Sequence, residues 1–204
     1  MNKPALLKSA ALFLAAYLVL LGLSLQFGPH YVEFLLPLYR WEIAALTPDY
    51  RIASLALADN RGETVVAVTL DLIRYIVVAG HAIAPGGTNS SSTLAGHALQ
   101  HPLLMLSLLA AWPARSVARR LALLAIALPF LLLVEMLDVP LVLLGSIDDL
   151  ILANVAPGTS SFLVVWMYFM NGGGRLALSI AAALAAVGVG RVLAARPVRV
   201  PAAE

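Results

Sequence analysis

Two histidines and three charged residues could together form one polar site. His97 and His101 are four residues apart, so an α-helix places both rings on one face, one turn apart. Glu135 and Asp138 lie in the next long apolar stretch, and Arg175 stands at the start of the last one. Because ionisable groups at membrane depth normally pair with one another, we expect these five residues to form one layer.

Three kinds of chemistry fit these residue types. Two histidines with a carboxylate could bind Zn²⁺, but the motif lacks the glutamate of H-E-x-x-H, so we predict neither a metal site nor a cofactor. Any one of the three serines 90–92, together with His97 and either Asp138 or Glu135, would supply the residue types of a nucleophilic triad. A serine-rich loop before a helix, however, more often caps that helix. A membrane-embedded hydrolase or transferase is therefore an alternative and not the first prediction.

A structural role for the same residues is the other interpretation. Glu135 and Arg175 could be an ordinary ion pair that joins two helices near the membrane surface. If the layer instead binds a ligand, then Asn89 and Ser91 in the preceding loop, together with Arg74, are further candidate binding residues. The residues alone leave both interpretations open.

The composition places the chain in a membrane. Its 204 residues are 61% hydrophobic and 12% charged, with a mean hydropathy of +0.92, whereas soluble domains are about 25% charged. Cysteine is absent from the sequence, which excludes disulfides, thiolate metal sites and a cysteine nucleophile. No basic patch interleaved with aromatic residues is present, so we predict no binding of nucleic acid.

Four apolar stretches are long enough to cross about 30 Å of hydrocarbon as helices. They are residues 9–27, 94–112, 121–144 and 175–192. Most basic residues flank one side of these stretches, namely Lys3, Lys8, Arg115, Arg119, Arg120, Arg191, Arg196 and Arg199. Arginine-rich short loops mark the cytoplasmic side. The predicted fold is an all-α, four-transmembrane-helix bundle that forms a single membrane domain with both termini in the cytoplasm.

Residues 28–93 are predicted to form a small extracytoplasmic cap. Residues 31–46 space apolar side chains at helical intervals and read as an interfacial helix. Residues 51–58 and 63–70 flank Asp59-Asn60-Arg61-Gly62, a pattern that predicts a β-hairpin. Residues 65–84 contain Asp71 and Arg74 and are predicted to be a strand followed by a helix that lies on the membrane.

Two further loops complete the predicted outer surface. The Ser- and Thr-rich residues 88–93 are expected to be a loop that caps the following helix. Residues 145–174 are expected to be an outer loop. Pro140 and then Asp148-Asp149 are expected to take the chain out of the third span and into this loop. Within it, residues 162–170 are predicted to be interfacial or re-entrant, and Asn171 to Gly174 to break the helix.

Three segments carry a resemblance to a known family. They are the run S-T-L-A-G-H-A-L-Q-H-P at Ser92 to Pro102, the arginine-rich turn after A-W-P at Ala111 to Pro113, and Gly62-Glu63 upstream. In these segments the chain resembles the exosortase H-associated membrane proteins. The resemblance implies a protein of the bacterial inner membrane that accompanies an exosortase, a cysteine transpeptidase that recognises C-terminal sorting tails. The resemblance does not identify any residue of this chain as catalytic.

The predicted function follows from the resemblance and the missing nucleophile. We expect a non-enzymatic accessory protein whose partners are the lipid bilayer and an exosortase or the transmembrane tail of its substrates. A small transporter ranks third, because the sequence lacks internal repeats and a charged path at mid-membrane.

Overall fold

The computed structural model describes residues 3–113 and 116–195. Arg115, Arg196 and Arg199, which were predicted to mark the cytoplasmic side, lie outside the described residues. The elements in chain order are α1 Lys3–Leu46, β1 Tyr50–Asn60, β2 Glu63–Leu72, β3 Ile76–Val78, β4 His81–Ile83, β5 Thr88–Leu94, α2 Ala95–Ala111, α3 Val117–Val155, α4 Phe162–Phe169 and α5 Arg175–Ala195.

Most of the chain is helical, and a small region of β-sheet is inserted between α1 and α2. Three helices among the described residues are long and apolar enough to cross a membrane. They lie within Leu6–Leu46, Val117–Val155 and Phe162–Leu193. The helix α2, predicted as the second span, has 17 residues and is therefore about 25 Å long. These features agree with a membrane-embedded helical protein.

The first helix is longer than predicted. It continues without interruption from Lys3 to Leu46, through Pro29 and Pro37, so the expected break after residue 27 and the separate interfacial helix are wrong. Val32 and Tyr39 lie on its buried face, in a core shared with α3 and the sheet. Because this packing stabilises the second half of the helix, the loss of a backbone hydrogen bond at each proline is tolerated.

The predicted β-hairpin is confirmed. Strands β1 and β2 pair antiparallel from Tyr50 opposite Leu72 to Asn60 opposite Glu63. Arg61 and Gly62 form the two-residue turn with φ angles of 58° and 85°, as a type I′ turn requires. The Gly62 N–H also donates to Asp59 Oδ1 at 3.1 Å.

The segment between the hairpin and α2 contains strands and no helix. Residues 65–84 were predicted to include a membrane-surface helix, but β2 ends at Leu72 and a short β3–β4 hairpin follows. Residues 88–93, predicted as a capping loop, belong to β5, which pairs with β2 and gives the sheet order β1-β2-β5. Leu94 is the N-cap of α2 and makes no side-chain cap hydrogen bond. The prediction for residues 88–93 was wrong because the hydrogen-bonding partner of β5 is distant in sequence, whereas the predicted helix is replaced by a local pairing of β3 with β4.

The third and last helices also continue beyond their predicted limits. The helix α3 extends through Pro140 and Asp148 to Val155, so the chain does not leave it near residue 144. The helix α4 begins after Ser161, whose side chain accepts from the Val164 N–H. A π-helical turn, Met170–Gly174, then joins α4 to α5, and Gly173 has a φ of 113°. The predicted helix break at the glycines is thus confirmed as a kink.

Apart from a small cluster that packs α4 and Met170 against the last part of α3, two apolar cores result from this arrangement. One packs the sheet against the second half of α1 and the last part of α3. The other packs α2, the first part of α3 and α5 together. The five polar residues predicted to form one layer lie on α2, α3 and α5, whereas Asn89 and Ser91 lie on β5 and Arg74 lies between β2 and β3.

Candidate functional site

Asp138 is the centre of a buried ionic network. Its Oδ1 and Oδ2 accept from Arg175 Nε at 2.9 and 2.8 Å, and Oδ2 lies 2.9 Å from His101 Nε2. Asp138 and His101 are 0% exposed and Arg175 is 4% exposed. One carboxylate of α3 therefore binds a residue from α2 and a residue from α5, and so joins three helices.

Both ring nitrogens of His101 have partners in this network. Nδ1 lies 2.8 Å from Ser179 Oγ, and Nε2 faces the Asp138 carboxylate. Ser179 Oγ also lies 2.8 Å from the Arg175 carbonyl, to which a hydroxyl can donate. The network therefore continues from Asp138 through His101 to Ser179 and back to the backbone of α5.

Glu135 occupies a second polar site one turn earlier on α3. Tyr31 donates to its Oε1 at 2.8 Å, and Tyr39 donates to its Oε2 at 2.7 Å. The carboxyl is 0% exposed. Two phenol groups eight residues apart on α1 thus clamp one carboxyl of α3.

The structure brings together four of the predicted site residues and separates the other four. Four are buried in the layer: His101, Asp138 and Arg175 form the ionic network, and Glu135 accepts hydrogen bonds from Tyr31 and Tyr39. The half-buried His97 hydrogen-bonds Thr93 Oγ1 through Nδ1 at 3.0 Å. Ser91 donates to the Leu143 carbonyl at 2.9 Å. Asn89 lines a shallow cavity beside the sheet, and Arg74 is exposed.

Sequence reasoning missed four residues that complete the layer. They are Tyr31 and Tyr39 on α1, Asn171, whose Oδ1 accepts from Arg175 Nη1 at 2.9 Å, and Ser179. A signal for Ser179 was present: it is the first uncharged polar residue after Arg175 and lies one helical turn from it. A signal was present for the tyrosines as well, because Tyr31 and Tyr39 are eight residues apart and a helix places residues at this spacing on nearly the same face.

The layer has the residue types of a serine-histidine-aspartate triad, but it is closed. Ser179, His101 and Asp138 are all 0% exposed, and Ser179 Oγ also lies within hydrogen-bonding distance of the Arg175 carbonyl. Within residues 3–113 and 116–195, no group of three or more histidines and carboxylates is arranged to hold a metal ion. The observed geometry is that of a structural ionic network.

One buried atom of the network, Arg175 Nη2, has no hydrogen-bonding partner among the described residues. The same holds for Glu42 Oε2 on α1, outside the network. Comparisons of this chain with protein-family models, curated proteins and solved structures found no match.

Proposed function

We propose that this chain is a non-enzymatic accessory protein of an exosortase-type protein-sorting system. In this role it binds the sortase, or the transmembrane tail of a sorted substrate, in the bacterial inner membrane. The proposal rests on the resemblance in residues 92–102, and the observation that supports it is the contrast between a closed polar layer and an uncovered first helix.

The uncovered surface is on the N-terminal part of α1. The most apolar 18-residue window of this helix has no buried residue, whereas 33% and 28% of the corresponding windows of α3 and the α4–α5 unit are buried. Leu14, Leu18 and Val19 are among its exposed side chains. Another face of this part of α1 is half-buried, but the face that carries Leu14, Leu18 and Val19 is not covered by the described part of the chain and can pack against another transmembrane helix.

The proposed topology is a four-span bundle with both termini in the cytoplasm and the β-sheet outside. Arg119 and Arg120 begin α3 and Arg191 lies near the end of α5, so these basic residues flank the same predicted side. Asp138 is 21 residues from the start of α3, or about 31 Å along the axis. The ionic network then lies near the outer boundary of a hydrocarbon layer about 30 Å thick.

Co-purification tests the proposed partner. The tagged chain, extracted in mild detergent, is expected to retain the sortase or its substrate. The double variant Leu14→Ala/Leu18→Ala on α1 is expected to lose most of this association. The control Leu128→Ala/Leu132→Ala, on an exposed face of α3, is expected to retain it. Absence of any association, with normal substrate processing in a deletion strain, contradicts the proposal.

The alignment of Ser179, His101 and Asp138 supports a second candidate, a membrane-embedded hydrolase or transferase acting at the outer leaflet. Opening of the bundle would be needed to expose the hydroxyl. Ser179→Ala is then expected to abolish turnover while protein abundance is unchanged. If His101→Ala lowers abundance as much as it lowers function, the residue is structural and this candidate fails.

A further inference from the structure

A cavity of about 760 Å³ opens at the arginine-rich end of the helices, far from the ionic network. The end of α2, the first turns of α3 and the last turns of α5 enclose it. It is open on one side and lined by both charged and apolar residues. Nothing in the proposed accessory function uses this cavity.

Two cations from different helices line the cavity. Arg119 belongs to the first turn of α3 and Arg191 to the last part of α5. The Arg191 guanidinium lies 5.3 Å from the ring centroid of Trp112, a cation–π geometry that restrains its position. No acidic residue is among the described residues that line the cavity. The cavity is therefore complementary to an anion.

The rest of the wall is apolar. Leu123, Ile126 and Val187 line the cavity on the side toward the bundle. Gly190 leaves space there, because a Cβ at this position would meet only Leu123 Cδ1 at 3.4 Å and Ile126 Cδ1 at 3.7 Å. A small soluble anion would gain no favourable contact from an apolar wall, whereas the hydrocarbon of an acyl chain would pack against it.

We propose that this cavity is a binding site for an anionic phospholipid. Its phosphate lies between the guanidinium groups of Arg119 and Arg191, which are suited to phosphate oxygens. The acyl chain extends along the apolar wall formed by α3 and α5. Basic pockets between transmembrane helices bind anionic headgroups by this combination of charge and apolar contact.

Native mass spectrometry of the full chain in mixed micelles tests the site. The probes are phosphatidylglycerol and phosphatidylcholine with identical acyl chains. The wild-type chain is expected to retain phosphatidylglycerol preferentially. Each arginine near an anionic surface contributes roughly a fivefold preference, so Arg119→Gln/Arg191→Gln is expected to lower the preference by about 25-fold. The control Arg40→Gln/Arg61→Gln, two exposed arginines whose loss leaves both cavity arginines in place, is expected to leave it unchanged.

A second variant keeps the test valid if the double arginine substitution disturbs folding. Gly190→Leu fills the cavity without changing any charge and is expected to reduce retention of both lipids there. Soluble glycerol 3-phosphate distinguishes a lipid site from a site for free phosphate, and it is expected to compete weakly. Three results overturn the proposal: no headgroup preference in the wild-type chain, an unchanged preference after loss of both arginines, or competition by glycerol 3-phosphate as strong as by the lipid.

Discussion

Replacement of Asp138 by asparagine is expected to destabilise the helix bundle strongly. The carboxylate accepts hydrogen bonds from the Arg175 guanidinium and from the His101 ring. An asparagine has one acceptor oxygen and turns its amide donors toward one of these groups. The variant thus leaves buried positive charge uncompensated, and removal of one partner of a buried ion pair costs about 3–5 kcal/mol.

Thermal unfolding in detergent measures this loss. For a chain of this size, each kcal/mol corresponds to about 2–4 °C in the unfolding midpoint, so Asp138→Asn is expected to lower it by roughly 6–20 °C. Asp149 is a matched control on the same helix, because it is only half-buried and accepts a 3.3 Å hydrogen bond from Tyr168. Asp149→Asn is expected to stay within about 0.5 kcal/mol of the wild type.

A double variant distinguishes the loss of a charge pair from the steric effect of changing the side chains. In Asp138→Leu/Arg175→Leu both charges are removed together, so the loss is expected to be smaller than the sum of the two single losses. Equal midpoints for Asp138→Asn and Asp149→Asn, or strict additivity of the leucine variants, would refute a buried charge pair as the element that joins α3 to α5.

Three further predictions concern packing, the second carboxyl and pH. Gly145→Ala is expected to cost about 1–3 kcal/mol, because the new Cβ would lie 2.9 Å from Met167 Cβ and closer still to the Leu163 carbonyl. Gly96→Ala, which meets nothing within 4 Å, is expected to be neutral or stabilising in the same unfolding assay. Tyr39→Phe is expected to cost about 1–3 kcal/mol, because a buried carboxylate oxygen loses its donor; an unchanged midpoint contradicts this. The hydrogen bond from Arg51 holds the pKa of the Asp71 carboxyl below its usual 3.8. The stability that this pair gives the hairpin is therefore fully present above pH 3.8, the usual pKa of the carboxyl. It is lost as the pH falls through the lowered pKa of Asp71 in the folded protein. Carboxyl titration by NMR is expected to show the lowered pKa in the wild type and its return toward 3.8 in Arg51→Gln.

Local sequence signals predicted the elements whose interactions are local. The hairpin turn was predictable because Gly62 adopts a positive φ at no steric cost. The positive φ of Arg61 was not predictable, because an arginine rarely adopts it. The kink near Gly173 was predictable because a run of glycines weakens a helix and one of them adopts a positive φ. A layer that contains His101, Glu135, Asp138 and Arg175 followed from helical spacing and from the cost of isolated charge at membrane depth. The ion pair expected between Glu135 and Arg175 is wrong, because Arg175 binds Asp138 and Glu135 binds two tyrosines.

Interactions between distant residues account for the wrong predictions. Ser90 reads as loop, yet it lies opposite Thr69 in the β5–β2 ladder, and only the fold brings β2 beside it. Pro140 reads as a helix end, but the packing of α3 against the sheet and α1 holds this helix together. His97 shared the spacing of His101, yet it bonds to Thr93 one turn before it and not to the layer.

Site-specific cross-linking in cells tests the central claim, that the uncovered face of α1 binds a partner in the membrane. The chain has no cysteine, so Leu14→Cys and the control Leu132→Cys each provide a single reactive thiol on an exposed face. Leu14→Cys is expected to give one discrete adduct that contains the sortase or its substrate, and Leu132→Cys is expected to give none. No adduct from Leu14→Cys, or equal yields of the same adduct from both positions, would contradict the account.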